Sequence, residues 1–180
     1  KNDAKLRRLK YASTGEWVVC RELTDPQAFH LFLSYAWPAA QDRMRLVTTR
    51  FLECLPSCRT YLDVDEHAID KGIAQLDKSE CILVFCTWQY FQKRHSLLQL
   101  VRAVVQRRPI LAMLEPPDQA HEGRLNQADI EALVTDAMLE QFELRNEYAE
   151  WKKWKECKLS IKAFTRAPAA AEVRAPPLPT

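Results

Sequence analysis

Glycine is scarce in this sequence, and several features that define common protein classes are missing. The 180 residues include three glycines, which excludes a glycine-rich phosphate-binding loop. No apolar run approaches the ~20 residues that a membrane-spanning helix needs. The 26 basic and 24 acidic residues leave a net charge of +2, too small by itself to argue for nucleic-acid binding. We therefore expect no nucleic-acid partner and no membrane insertion.

The six cysteines indicate neither a disulfide framework nor a metal site. Cys54 and Cys58 are close in sequence, but no second pair of cysteines or histidines stands at a useful spacing. Cys81 and Cys86 bracket an apolar run, where a reduced thiol behaves as a small hydrophobic side chain. We expect free thiols, a reducing, cytoplasmic location and no bound metal.

The central part of the chain alternates short apolar runs with amphipathic stretches. The apolar runs predict strands at 29–35, 60–62, 81–86 and 109–114. The stretches between them predict helices from about 41 to 55, at 69–76 and at 91–106. The run CILVFC at 81–86 shows no alternation, which is typical of a strand that is covered on both faces.

This succession predicts an α/β fold with a doubly wound, flavodoxin-like parallel sheet and helices on both faces. We expect four to five strands in the order 2-1-3-4-5. The best candidate for a fifth strand is 158–164, after an amphipathic helix that begins near Ile130.

The two ends of the chain differ from the centre in composition. Residues 1–27 begin with a basic cluster and predict a solvated lead-in, with contact to a membrane surface or an acidic partner as the alternative. Residues 166–180 are rich in proline and alanine and predict a disordered tail. The length of the chain favours one domain, at 28–165, between these segments.

A ligand of an open parallel sheet binds beyond the carboxyl ends of the strands, where the strand order reverses. The predicted order places that point between the first and third strands. The residues that follow these two strands are Ser34, Tyr35, Trp37, Thr87, Trp88 and Tyr90. Their aromatic faces would suit a nucleobase or a nicotinamide ring, although two tryptophans can also simply cap the sheet. Asp63 and Asp65 follow the second strand, where turn or helix capping would also explain them.

Four motifs in order resemble the conserved boxes of the Toll-type (TIR) domains. They are FLSYAW at 32–37, TYLDVDE at 60–66, SECILVFCT at 79–87 with Tyr90 after it, and the Pro-Ile pair at 109–110. The resemblance covers 29–115. The first loop, WPAAQD, is similar to that of TIR domains from algae and other protists.

The resemblance implies one of two functions. TIR domains either assemble into signalling complexes or cleave the bond between nicotinamide and ribose in NAD. The third helix of the enzymes carries a motif like Trp-Cys-x-x-Glu-Leu, in which the glutamate is catalytic. The same register here reads HSLLQL at 95–100, so Gln99 occupies the position of the glutamate and the Trp-Cys pair is absent. The candidate substrate-binding residues are Ser34, Tyr35, Trp37, Asp63, Asp65 and Trp88.

A neutral amide at position 99 weighs against catalysis. It can neither stabilise an oxocarbenium ion by charge nor accept a proton, and the loss of such a group typically costs about a hundredfold to ten-thousandfold in rate. We therefore expect a module that acts through self-association or a signalling partner, with or without retained nucleotide binding, and that uses no cofactor. NAD as a substrate is the alternative, and it would require either another acid such as Asp63, Asp65 or Glu115, or Gln99 to be an engineered change in an active parent. A phosphorylation-receiver domain would need an aspartate where Cys86 and Thr87 stand.

Two further regions carry expectations. TIR domains often pair through helices and the loop after the second strand, which corresponds here to about 65–72. His95 follows Lys93 and Arg94 at the start of the predicted third helix. A solvent-facing basic cluster is the simpler interpretation of these residues, and a phosphate contact is the alternative.

Overall fold

The computed structural model of the protein describes residues 8–24, 26–64, 69–115 and 125–133, together with 135, 140–142 and 144. Its centre is a sheet of four parallel strands, β1 (Phe29–Ser34), β2 (Thr60–Leu62), β3 (Ser79–Cys86) and β4 (Ile110–Leu114). Their spatial order is β2-β1-β3-β4, which confirms the predicted doubly wound α/β fold. The candidate fifth strand at 158–164 lies outside the described residues.

Among the described residues, four helices lie in the connections between these strands, and a fifth follows β4. They are α1 (Gln41–Cys54), α2 (Ile69–Asp77), α3 (Trp88–Phe91), α4 (Arg94–Val105) and α5 (Gln127–Leu133). The single helix predicted over 91–106 is wrong, because a break at 92–93 separates α3 from α4. Thr87 caps α3 by accepting a hydrogen bond from the Tyr90 backbone N–H at 3.1 Å. The backbone at Lys93 is then extended (φ −104°, ψ 119°), so that α4 begins at Arg94.

The sheet is covered on both faces, as its apolar sequence predicts. On one face, Phe32 and Ile82 lie in a cluster with the buried residues of α2 and α4, among them Leu76 and Leu97. On the other face, Leu33 packs in a second cluster, together with Met44 of α1. Because successive residues of a strand point to opposite faces, β1 contributes to both clusters. Its last residue, Ser34, follows Phe32 by two positions and therefore faces α4.

The described part of the N-terminal segment is held against the domain. The Leu9 N–H donates to the Cys54 carbonyl at 3.0 Å, and the Cys20 N–H donates to Ser57 Oγ at 2.9 Å. His30 Nδ1 accepts from the Arg59 N–H at 2.9 Å. Its Nε2 therefore carries the proton and donates to the Arg21 carbonyl at 2.8 Å. Leu9, Cys20 and Arg21 thus contact residues near the amino-terminal edge of the sheet.

The five cysteines of the described residues are free thiols. Burial raises the pKa of Cys86 to about 12, so that its thiol stays protonated within the core. Among the described residues, no helix combines the length and the apolar character that crossing a membrane requires.

Candidate functional site

Gln99 joins the carboxyl ends of β1 and β2 to α4. Its Oε1 accepts a hydrogen bond from Ser34 Oγ at 2.5 Å, and its Nε2 donates to Asp63 Oδ2 at 2.7 Å. Ser34 is the last residue of β1, and Asp63 directly follows β2. The side chain of Gln99 is 1% exposed, so that both ends of the amide are used inside the protein. This arrangement brings together three of the residues that the sequence singled out.

His95 also contacts the Asp63 carboxylate, from one helical turn before Gln99. Its Nε2 lies 2.9 Å from Asp63 Oδ2 and 2.8 Å from Gln99 Nε2. The carboxylate oxygen can only accept, so the simplest assignment has both nitrogens donating to it, and the contact between the two nitrogens is not a hydrogen bond. The side chain of His95 is 13% exposed. The expectation that His95 belongs to a solvent-facing basic cluster is therefore wrong, although Lys93 and Arg94 are exposed.

Tyr90 extends these contacts into the core. Its hydroxyl lies 2.9 Å from Ser34 Oγ and donates to the Ser96 carbonyl at 3.0 Å. Tyr90 is fully buried, and this burial raises the pKa of its phenol, which stays protonated. The polar residues Ser34, Asp63, Tyr90, His95 and Gln99 are called the buried network below. Gln99 is therefore enclosed by its hydrogen-bond partners and is shielded from solvent.

Tyr35 and Trp37 do not join the buried network. Tyr35 packs in the cluster on the α1 face, and Trp37 packs against that cluster. Within the described residues, the Tyr35 hydroxyl and Trp37 Nε1 are buried without a hydrogen-bond partner. Burial, with a smaller contribution from the negative charge of Asp63, raises the pKa of Tyr35 to about 12. The aromatic rim that the sequence predicts is therefore split between two faces of the sheet.

A small cavity lies where the strand order reverses, beyond the ends of β1, β3 and β4. Its lining includes Ala40 and Arg43 from the first crossover, Thr87 and Trp88 after β3, and Glu115 after β4. Its volume is about 60 Å³. Arg43 donates to the Glu115 carboxylate within it. Of the predicted binding residues, Trp88 alone lines this cavity, and Asp65 lies outside the described residues.

A larger cavity, of about 410 Å³, opens at the opposite edge of the sheet. It is lined by residues of the N-terminal segment and by His30, Ser57 and Arg59. Ligands of parallel sheets bind at the carboxyl edge, so this position does not suit the nucleotide site of such a fold. No group of three His, Cys, Asp or Glu side chains in the described parts of the chain could hold a metal ion.

Two members of the buried network, Tyr90 and His95, were not among the candidate substrate-binding residues, although Tyr90 was placed on the predicted rim. The spacing of His95 and Gln99 is a signal that could have found one of them, because residues four apart share a helix face. The position of Asp63 opposite that face is a tertiary contact, and no local pattern reveals it.

We expect removal of the hydroxyl group to affect stability differently at the two buried tyrosines, Tyr90 and Tyr35. Tyr90→Phe is expected to lower the free energy of unfolding by about 1 to 3 kcal/mol, since the Ser96 carbonyl loses its donor. Tyr35→Phe removes a hydroxyl without a described partner and is expected to leave stability unchanged or to raise it. Denaturant unfolding of both variants measures this difference, and an equal loss in both would contradict it.

The contribution of Tyr35 to the stability of the protein depends on pH. The pKa of Tyr35 is raised from 10.0 to about 12, so folding favours its neutral form. Its contribution to stability is fully present below pH 10 and is lost as the pH rises through 12. The free energy of unfolding of Tyr35→Phe should therefore fall less steeply over this range than that of the unmodified chain.

Gly72 of α2 leaves room for the Asp63 carboxylate. A Cβ at this position would lie 2.5 Å from Asp63 Oδ2. Gly72→Ala is therefore expected to destabilise the protein, although the same change within a helix normally stabilises by about 0.5 to 1 kcal/mol. In an Asp63→Ala background the obstacle is absent, and Gly72→Ala should stabilise. Unfolding measurements on the four proteins test this reversal, and the same sign in both backgrounds would refute it.

Comparisons with known proteins find a similarity to solved structures. No protein-family model matches the chain, and no curated protein matches it. Among solved structures, the chain is similar to the TIR domain of the Toll-related receptor TRR-2 from the lower metazoan Hydra magnipapillata. The identity is 14%, the match covers 69% of this chain and 99% of that domain, and the TM-score is 0.39. The fold class of this chain accordingly rests on its own strand order and register. The similarity of its first loop to algal and protist domains stays a prediction.

Proposed function

We propose that this chain is a TIR-like signalling module that acts through self-association and protein–protein contacts and does not cleave NAD. The proposal rests on Gln99, which stands where the resemblance places a catalytic glutamate. Cleavage of the nicotinamide–ribose bond develops positive charge on the ribose, which a nearby carboxylate stabilises or captures. Gln99 is neutral, 1% exposed and hydrogen-bonded at both ends of its amide. Gln99 therefore lacks the negative charge that the reaction needs, and a substrate cannot reach it.

The described acids near the site do not replace the missing glutamate. Asp63 is 8% exposed, and its Oδ2 already accepts from Gln99 and His95. Glu115 borders the small cavity, but its carboxylate is paired with Arg43. A carboxylate that is engaged in this way must lose a partner before it can face a ribose.

The size of the cavity at the carboxyl edge supports the same proposal. Ligand pockets usually measure roughly 300 to 1,000 Å³. The cavity beside Trp88 measures about 60 Å³, and Gln99 is not among the residues that line it. A dinucleotide would have to open this edge and separate Arg43 from Glu115. The small cavity supports a module without a resident cofactor. The free thiols of the described cysteines support a location in the cytoplasm.

The first test is NAD turnover, followed as nicotinamide release at high protein concentration. We expect no release by the unmodified chain or by Gln99→Glu. A glutamate at 99 would place a second carboxyl about where Gln99 Nε2 now lies, 2.7 Å from Asp63 Oδ2. One of the two carboxyls would then be held protonated. The matched control is Gln92→Glu, the same change at an exposed position.

The outcomes of this assay separate three situations. Turnover by the unmodified chain would overturn the proposal. Turnover by Gln99→Glu alone would show an intact nucleotide pocket that lacks only its acid, and would refute the argument from cavity size. Equal turnover by Gln99→Glu and Gln92→Glu would indicate a contaminating activity or a general effect of charge.

Self-association is tested separately, by sedimentation over a range of concentrations. We expect weak association that becomes stronger when modules are fused to a clustering scaffold, because linkage raises their effective concentration. Val64 is 49% exposed and begins the loop after β2, so Val64→Asp should weaken association. Val19→Asp is the control, the same change at an exposed valine (59%) in the N-terminal segment. A chain that stays monomeric at high concentration and when clustered would refute this part of the proposal.

A further inference from the structure

The described part of the N-terminal segment contains a short antiparallel turn, here called the N-terminal hairpin (residues 8–19). Its centre is a β-bridge between Lys10 and Trp17. The Tyr11 N–H donates to the Glu16 carbonyl and the Val18 N–H donates to the Leu9 carbonyl, both at 2.9 Å. The hydrogen bond from the Leu9 N–H to the Cys54 carbonyl attaches the hairpin to the end of α1. The hairpin is thus a defined element with a fixed place on the domain.

The hairpin gathers two cations around one indole ring. Lys10 and Trp17 form a non-hydrogen-bonded pair, the kind in which side chains of antiparallel strands lie closest. Lys10 Nζ lies 4.3 Å from the centroid of the Trp17 ring. Arg8 is two residues before Lys10 and shares its face, and its guanidinium carbon lies 5.0 Å from the same centroid. Positive charge and an aromatic surface are therefore presented together.

Exposed hydrophobic side chains are also concentrated in the N-terminal hairpin. The described residues include seven large hydrophobic side chains that are exposed, and four of them belong to the hairpin: Leu9 (47%), Tyr11 (43%), Trp17 (39%) and Val19 (59%). Single exposed apolar residues are common, but a group of four within eleven residues indicates a surface that binds something.

The charge of the chain is also unevenly distributed. Residues 1–24 contain six basic and three acidic residues, a net charge of +3, while the whole chain carries +2. Residues 25–180 therefore sum to −1. A chain that is almost neutral overall has its excess of positive charge in the segment that carries the exposed aromatic rings. This segment should attract an anionic partner over short distances.

We propose that the N-terminal hairpin binds peripherally to anionic phospholipid membranes. Trp17 and Tyr11 would lie at the level of the headgroups, where amphipathic aromatic rings are favoured. Arg8 and Lys10 would contact lipid phosphates, and Leu9 and Val19 would be buried against the upper acyl chains. This mode is adsorption to one leaflet and involves no membrane-spanning segment.

The exposed aliphatic side chains favour a membrane over other anionic partners. A nucleic acid would engage the cations and the rings, but it would leave Val19, the most exposed of the four, in water. A highly acidic peptide would pair with the cations, but it offers no apolar layer that could cover Leu9 and Val19. A bilayer surface satisfies the cations, the rings and the aliphatic side chains at the same time.

The test is cosedimentation of the full chain with vesicles, with no NAD present. We expect binding to vesicles of phosphatidylcholine mixed with phosphatidylserine and little binding to phosphatidylcholine alone. Binding should weaken as salt is added, because exposed charges are screened. Lys10→Glu is expected to reduce the partition coefficient by at least about fivefold, from the usual contribution of one basic residue near an anionic surface. The matched control is Lys71→Glu, an identical change at an exposed position at the opposite edge of the sheet.

A second pair of variants tests the apolar contribution without changing charge. Trp17→Ala should weaken vesicle binding, whereas Leu46→Ala, at a 58% exposed position on α1, should not. Circular dichroism of each variant shows that its fold is retained. Equal binding to both kinds of vesicle, or equal losses in Lys10→Glu and Lys71→Glu, would overturn the proposal. So would preferential binding to DNA or to polyglutamate, which would assign the surface to another partner. Because neither the NAD assay nor sedimentation without lipid involves vesicles, failure here is distinguishable from failure of the proposed function.

Discussion

The amide of Gln99 is the contact on which the carboxyl edge of the sheet depends. It accepts from Ser34 at the end of β1 and donates to Asp63 after β2, so that one side chain ties α4 to two strands. Buried polar groups are costly when they lose a partner, and each member of this network is therefore held by the others. Gly72 completes the arrangement, because a larger residue would displace Asp63.

The same hydrogen bonds support our proposal that the chain does not cleave NAD. A side chain that is closed off by two partners is well suited to joining elements of structure and poorly suited to meeting a substrate. The small cavity nearby, with Arg43 paired to Glu115, adds no unpaired acid. The features that remain available for function lie on the surface. They are Val64 at the loop after β2 and the exposed hairpin at the amino edge of the sheet.

Most of the fold could be predicted because a buried parallel sheet leaves a strong local signal. Short continuous apolar runs such as 81–86 are typical of strands with helices on both faces, and their alternation with amphipathic stretches favours crossovers between parallel strands. The break between α3 and α4 was missed although residues 92–96 include no apolar side chain. It depends on the Thr87 cap and on the extended backbone at Lys93, which the pattern of apolar residues does not specify.

The sequence by itself determined the α/β class, because the alternation of apolar and amphipathic stretches encodes it, and it placed glutamine at position 99. The strand order was an expectation for a flavodoxin-like fold, and the sheet pairing confirms it. Only the tertiary structure decided what that glutamine does. Its partners, Asp63 and Ser34, lie 36 and 65 residues away along the chain, and the sheet register brings them within hydrogen-bond distance. The tertiary structure likewise placed His95 on Asp63 and separated Tyr35 from the buried network. Side-chain burial and hydrogen-bond partners depend on packing between distant segments, and no local pattern of residues records them.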